Sequence, residues 1–367
     1  MNGAISRLDR WLLDRLIEAV GEAPVEVVLW TGETIRLADV EPVARVHLRD
    51  RGAFRRLVRD PSFRFGEEYA AGGMVIEGGL VELLRHLLSF SLRNRVSQGL
   101  QSRLSTWFRR PRGTSLTASK KNIHRHYDVG NDFYKLWLDE RMVYTCAYFT
   151  DPSNTLEQAQ LDKLDHVCRK VMLQPGQHVI EAGCGWGALA MHMARQYGVT
   201  VIAYNISHEQ VVYARDRARA EGLAGRVEFV EDDWRNITGT CDAFVSVGML
   251  EHVGLANYER LGRVLRGCLR EDGFGLIHSI GRNYPLAGDS WIERRIFPGG
   301  YAPSLGEMLR VFEPNDFSVL DVENIRMHYA KTLSHWLLRF EEATDVVRDM
   351  FDEEFLRVWR LYLASSQ

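Results

Sequence analysis

The sequence predicts a doubly wound α/β fold, a mostly parallel sheet with helices on both faces, preceded by a smaller N-terminal α+β domain. From about residue 155, short apolar runs alternate with segments of helical spacing. One run, Val179-Ile180-Glu181-Ala182, stops at Gly183-Cys184-Gly185-Trp186-Gly187 and opens into a helix. Alternate glycines there let a ligand lie on the backbone, and the amides of the following helix offer free donors to an anionic group.

Taken in order, residues 5–22 have apolar positions at helical spacing, with Gly21 near the stop. VEVVLW and VARVHL read as strands, Phe65-Gly66-Glu67-Glu68-Tyr69 as a turn, and the stretch from Gly79 to Leu84 as the opening of a helix. These make a small domain over 1–102. Residues 103–123 are basic, with Pro111, Gly113 and several Ser and Thr, and read as a linker. A catalytic domain over 124–367 follows. It holds a helix (Leu156–Met172), strand HVIEAG, helix Ala188–Tyr197, strand VTVIAYN, helix Glu209–Glu221 and strand RVEFVE. Strand AFVSV, helix Asn257–Leu269, strands FGLIHSI and SVLDVENI, and a long helix from Thr332 to about Leu363 complete it.

Composition excludes several classes. Hydrophobic content of 46% and charged content of 26% are those of a globular protein. A net charge of −3 gives no basic field for nucleic acid. No apolar run approaches the roughly 18–20 residues that span a bilayer, and the charged N-terminus lacks a signal-peptide core. The five cysteines are scattered without CxxC spacing, which suggests neither a metal site nor a disulfide framework and points to reducing cytoplasm.

Three readings of the glycine loop stand beside one another. Gly183, Gly185 and Ala188 fit a loose dinucleotide motif, which also wants an acid at the end of the second strand. That strand ends Tyr204-Asn205-Ile206-Ser207, without one. A purely structural turn is the second reading. The third has the most support: Glu181 before Gly183, Gly185 and Gly187 completes E-x-G-x-G-x-G, the usual first motif of S-adenosylmethionine (SAM) methyltransferases of class I. Asp232-Asp233-Trp234 after the third strand supplies an acid and an apolar face for adenine.

Further segments carry a family resemblance. They are His124-Arg125-His126-Tyr127-Asp128-Val129-Gly130, Tyr144-Thr145-Cys146-Ala147-Tyr148-Phe149, Met249-Leu250-Glu251-His252-Val253-Gly254 and Ile277-His278-Ser279-Ile280-Gly281. Phe297-Pro298-Gly299-Gly300 and His328-Tyr329-Ala330-Lys331-Thr332 follow in order. Taken singly, Glu251 reads equally as a helix N-terminal acid, Cys146 as a small core residue, and His278 and Tyr329 as satisfied buried side chains. Together, from His124 to Leu363, they resemble the cyclopropane-fatty-acid synthase family, which includes the mycolic acid cyclopropane synthases. FGEEYAAGG and GGLVELL resemble its phospholipid-acting branch more weakly.

The resemblance implies transfer of a methylene group from SAM to the cis double bond of an unsaturated phospholipid acyl chain, with bound bicarbonate as base. It implies a bicarbonate cradle of Cys146, Glu251, His278, Tyr329 and the backbone N–H of Ile280. For SAM it implies Gly183, Gly185 and the helix behind them at the methionine part, after Glu181, with Tyr144 and Thr145 reaching the carboxylate. Asn205, Ile206 and Gln210 would take the ribose, Trp234 and Val247 would enclose adenine, and Asp233 or Arg235 would stand at its edge. It also suggests dimerisation through the N-terminal domain and a peripheral place at the inner membrane surface. The basic run Arg103, Arg109, Arg110, Arg112, Lys120, Lys121 and Arg125 would meet anionic headgroups there. Two other outcomes are a SAM-dependent C-methylation giving a branched chain, and a non-catalytic SAM-binding lipid-transfer or regulatory protein. Departures from the family pattern are Glu181 for Asp, Thr145 for Ser, Tyr204-Asn205 for an aliphatic–Thr pair, and no final strand before Gln367.

Overall fold

The structure, a computed structural model, describes residues 5–97, 129–286 and 290–367. They divide into two compact units, one of 5–97, 290–295 and 336–367, the other of 129–286 and 296–335. The basic run and His124–Asp128 lie outside the described residues.

In the first unit, α1 (Arg7–Val20) starts where the Ser6 hydroxyl accepts the Asp9 N–H and stops at Gly21, whose φ is 72°. Then come β1 (Val25–Val28), β2 (Thr34–Arg36), β3 (Ala44–Leu48), α2 (Arg51–Arg59), α3 (Pro61–Ala70), β4 (Met74–Gly78) and α4 (Leu80–Ser97). The sheet order is β2-β1-β3-β4, parallel between β1 and β3 and antiparallel elsewhere. Phe65–Tyr69, expected as a turn, lies inside α3, which Asp60 caps and Pro61 opens. Gly66 leaves no room for a Cβ against the Trp291 indole, which accounts for glycine in mid-helix.

The second unit carries α5 (Asn131–Lys135), α6 (Leu156–Lys170), β5 (His178–Ala182), α7 (Ala188–Tyr197), β6 (Thr200–Asn205), α8 (His208–Ala220) and β7 (Val227–Glu231). It continues with β8 (Cys241–Val247), α9 (Leu250–Val253), α10 (Tyr258–Cys268) and β9 (Leu269–His278). Later helices along the chain are α11 (Ser290–Arg295), α12 (Leu305–Phe312), α13 (Arg326–Glu342), α14 (Thr344–Met350) and α15 (Glu353–Ser366). The five strands run in the order β7-β6-β5-β8-β9, and every pair is parallel. Alternate strand residues go to opposite faces. Val179, Val201 and Val245 pack with Leu164 of α6 and Leu189 of α7, while Ile180 and Phe244 pack with Leu261 and Leu265 of α10. The chain passes from β5 toward β6 on one side and has β8 on the other, so the crevice at the strands' carboxyl ends opens beside β5, where ligands bind in such sheets.

Two expectations are corrected. Residues 318–325 form no strand; Val319, Leu320 and Val322 are exposed, and the segment is held to α6 by charge, through Lys170 with Asp321 and Glu323 and His166 with Glu323 at 2.8 Å. The expected long helix begins earlier, at Arg326, and is broken. It pauses at Ala343, and the extended Phe351 ends α14 before the Asp352 carboxylate accepts the Phe355 N–H at 2.7 Å to start α15. Within the first unit, residues 336–367 meet the N-terminal elements, and Arg357 donates to the Ala70 carbonyl at 2.8 Å.

Candidate active site

The glycine loop closes the end of β5. Both Gly183 N–H and Cys184 N–H donate to the Tyr204 carbonyl, at 2.8 and 3.1 Å, which folds the loop back on β6. Gly187, at φ 82°, caps α7, and a Cβ there would stand 2.5 Å from the Phe229 ring. Asn205 Nδ2 donates to the Gly185 carbonyl at 3.2 Å and to Gln210 Oε1 at 2.8 Å, so the loop, the end of β6 and the first turn of α8 form one bonded unit.

A pocket opens here. Of the residues expected at the cofactor, Tyr144, Thr145, Glu181, Gly183, Gly185, Asn205, Ile206, Gln210, Asp233, Trp234 and Val247 all line it. Arg235 does not. Its buried guanidinium pairs with Asp233 at 2.9 Å and lies 4.8 Å over the Trp234 ring, so it backs the indole from behind and occupies the Asp233 carboxylate. The pocket also holds residues the sequence reading passed over: Lys163, Trp186 and His252. Trp186 is fixed by its Nε1 donating to Asn131 Oδ1 at 2.7 Å. Glu181 is buried, its Oε2 has no partner, and burial pushes its carboxyl up while Lys163 opposes.

Residues 143–149 form a wall pinned from two helices. The Gln160 amide donates to the Thr145 carbonyl at 2.9 Å. From α13, Thr332 Oγ1 accepts the Ala147 N–H at 3.0 Å and His328 Nδ1 accepts the Phe149 N–H at 2.9 Å. Cys146 is thereby held buried, its sulfur 3.2 Å from the Ala147 carbonyl and 4.0 Å from the Ile325 carbonyl. The same Ile325 carbonyl accepts the Tyr329 N–H at 3.2 Å. Burial raises the Cys146 thiol to about 12, so it stays protonated.

The remaining cradle residues stand at the ends of β8 and β9. Glu251, buried on α9, accepts the Ile280 N–H at 2.6 Å through Oε1, while Oε2 has no partner. Its carboxyl is raised by burial, against the lowering effect of the backbone bonds. The Ile280 N–H, expected to face an anion, is therefore engaged by Glu251. His278 sits in register with Val247, and burial, with Lys163 and His166 adding to it, holds its imidazole down to about 4 and hence neutral. The Gly248 N–H donates to the His278 carbonyl at 2.9 Å, and the Thr145 methyl packs on Gly248. The structure thus places two groups, Glu251 with Ile280 and His278, and Cys146 with Tyr329, linked through Thr145 and Gly248.

A parallel α/β sheet in this strand order, with an acid and three glycines leading into a pocket at its carboxyl ends, defines a class I SAM-dependent methyltransferase. The chain belongs to the mycolic acid cyclopropane synthetase family, whose profile matches residues 114–367. A second profile, of a domain of unknown function, matches residues 12–93. The chain is 36% identical over 349 residues to the probable fatty acid methyltransferase of Pseudomonas putida, covering 93% of this chain and 87% of that one. It is 35% identical over 334 residues to the cyclopropane-fatty-acyl-phospholipid synthase of Escherichia coli K12, covering 87% and 82%. Among solved structures, a cyclopropane synthase from Mycobacterium tuberculosis matches with a TM-score of 0.65 at 28% identity, over 68% of this chain and 93% of that one. A mycolic acid cyclopropane synthase complexed with S-adenosylhomocysteine (SAH) matches with a TM-score of 0.64 at 29% identity, over 67% and 91%.

Proposed function

We propose that this methyltransferase adds a methylene group across the cis double bond of a phospholipid acyl chain to form a cyclopropane, with bicarbonate as base. The observation that carries the reading is Glu251: a buried carboxylate with one oxygen fixed by the Ile280 N–H just beyond the end of β9 and the other unpartnered.

SAM supplies an electrophilic methyl group, and an alkene that attacks it is left with positive charge on the acyl chain. Ring closure then requires loss of a proton from the transferred methyl. Bicarbonate, when bound, supplies the base for that proton. The residues present fit it. The orphan oxygen of Glu251 is an acceptor for one hydroxyl proton, and the raised carboxyl tolerates sharing a proton with a second anion. Neutral His278 has one N–H to give, and the protonated Cys146, which in this structure faces the Ala147 and Ile325 carbonyls, and the Tyr329 hydroxyl would turn to the anion when it binds. The Tyr329 ring would also offer a π-face to the positive charge. On the cofactor side, Gly183 and Gly185 would hold the methionine part, Gln210 and Asn205 the ribose, and Trp234 and Val247 the adenine.

A second reading, C-methylation to a branched acyl chain, is favoured by the likeness to a relative named a probable fatty acid methyltransferase. In either case the acceptor lies in a bilayer, and no helix among the described residues is long and apolar enough to cross a membrane. We take the enzyme to dock transiently on the membrane surface. Incubation with methyl-labelled SAM and vesicles of a cis-unsaturated phospholipid tests the reading. Label should enter the acyl chains, and none should enter those of a saturated phospholipid; equal labelling of both would contradict it.

A further inference from the structure

Helix α6 buries a cation where its spacing calls for an apolar side chain. Leu156, Ala159, Leu164, Val167 and Cys168 form the helix's buried stripe, and Gln160 and Lys163 fall on the same stripe. Lys163 is 3% exposed. Taking an ammonium out of water is costly unless something in its surroundings needs the charge. Among the described residues, no carboxylate lies within ion-pair distance of its Nζ; burial lowers the ammonium to about 8, with Asp139 and Glu181 opposing from farther away, and its one hydrogen bond is to Thr145 Oγ1, at 2.9 Å.

That bond has only one possible sense. A lysine ammonium donates and cannot accept, so Thr145 Oγ1 is the acceptor. The rest of Thr145 is also fixed: its methyl packs on Gly248, and its backbone carbonyl accepts from Gln160. The hydroxyl proton is therefore free to donate, and Thr145 lines the cofactor pocket. A hydroxyl polarised by a buried ammonium, with its proton directed to an acceptor, is a receptor for an anionic group. SAM has one such group, the carboxylate of its methionine part. Glu181 lines the same pocket with an unpartnered oxygen, an acceptor that suits the ammonium of that methionine part.

We infer that Lys163 is a positioning residue for the cofactor: acting through Thr145, it sets the pocket's affinity for the carboxylate of the methionine moiety. The inference rests on SAM occupying this pocket.

The test compares two ligands on the full chain. SAH carries the amino-acid portion; 5′-methylthioadenosine keeps the adenosine and the thioether but lacks it. Lys163→Met should weaken SAH by about tenfold or more, as expected for loss of a charge-assisted contact, and leave 5′-methylthioadenosine binding unchanged. Thr145→Val should show the same selective loss, Thr145→Ser should retain SAH binding, and Lys163→Met should add little in a Thr145→Val background. The threonine variants keep the test available if Lys163→Met fails to fold. Parallel weakening of both ligands would make Lys163 a merely structural residue, and unchanged SAH binding would remove its role; either overturns the inference. Binding of neither ligand to the unaltered protein would instead remove the cofactor assignment, and the inference with it.

Discussion

Glu251 Oε1 accepts the Ile280 N–H at 2.6 Å. The bond ties the short helix after β8 to the turn after β9, two segments that meet only because their strands are neighbours in the sheet. It fixes one carboxylate oxygen and leaves the other as the buried polar atom that a proton-bearing ligand would satisfy.

Glu251→Gln keeps a side-chain carbonyl for Ile280 and removes the anionic acceptor. Turnover should fall by about 10²–10⁴-fold, the range for loss of a proton-handling group, while SAH affinity stays that of the parent. Turnover of labelled SAM and calorimetric SAH binding measure the two halves. Parent-level turnover would end the assigned role.

Acid should weaken the fold through half-buried histidines. His192, His252 and His278 are each held down to about 4 from 6.5 by burial. Between those values the unfolded chain binds protons that the folded chain declines, so their contribution is intact above pH 6.5 and is lost as pH falls toward 4. His278→Asn removes one such site. Its plot of melting temperature against pH should be flatter than the parent's over that interval, and parallel plots would contradict the assignment.

The loop glycines should separate into two kinds. Gly187→Ala puts a methyl 2.5 Å from Phe229 in a left-handed backbone; strain and overpacking together should cost about 2–4 kcal/mol. Gly185→Ala meets no atom within 4 Å, so only the backbone cost of about 1–2 kcal/mol applies. Because Gly185 lines the pocket, SAH affinity should nevertheless drop. Thermal unfolding and SAH titration of both variants check this, and equal destabilisation would contradict it.

Trp234 and Arg235 should act in series. Trp234→Ala should weaken SAH and 5′-methylthioadenosine alike, because both carry adenine. Arg235→Ala should give a smaller loss of the same kind, since Arg235 stands behind the indole and outside the pocket lining. Selective loss of SAH alone in either variant would place these residues at the wrong end of the cofactor.

The parallel sheet was legible because buried parallel strands are near-continuous apolar runs punctuated by glycines. Helix Ala188–Tyr197 appears with the bounds read from sequence, and β5 within one residue. Ser318–Ile325 misled because alternation signals a strand only where a neighbour supplies a ladder, and propensity does not reveal the neighbour. The helix break was written in Asp352-Glu353-Glu354, a capping residue followed by acids, but it was masked by a long amphipathic pattern. Lys163 was visible as a cation on an apolar stripe; what it touches depends on how residues 143–145 return to α6, which no local pattern encodes. Likewise, the sequence places Arg235 beside Trp234 without saying which face of the indole it takes.

The most direct test of ring formation is the product itself. Acyl chains labelled from SAM should be isolated, subjected to catalytic hydrogenation under conditions that reduce alkenes and spare rings, and weighed by mass spectrometry. A gain of one CH2 with no uptake of hydrogen is the predicted result. Uptake of two hydrogens by the labelled chain would show a methylene branch and contradict the proposed cyclopropane synthesis.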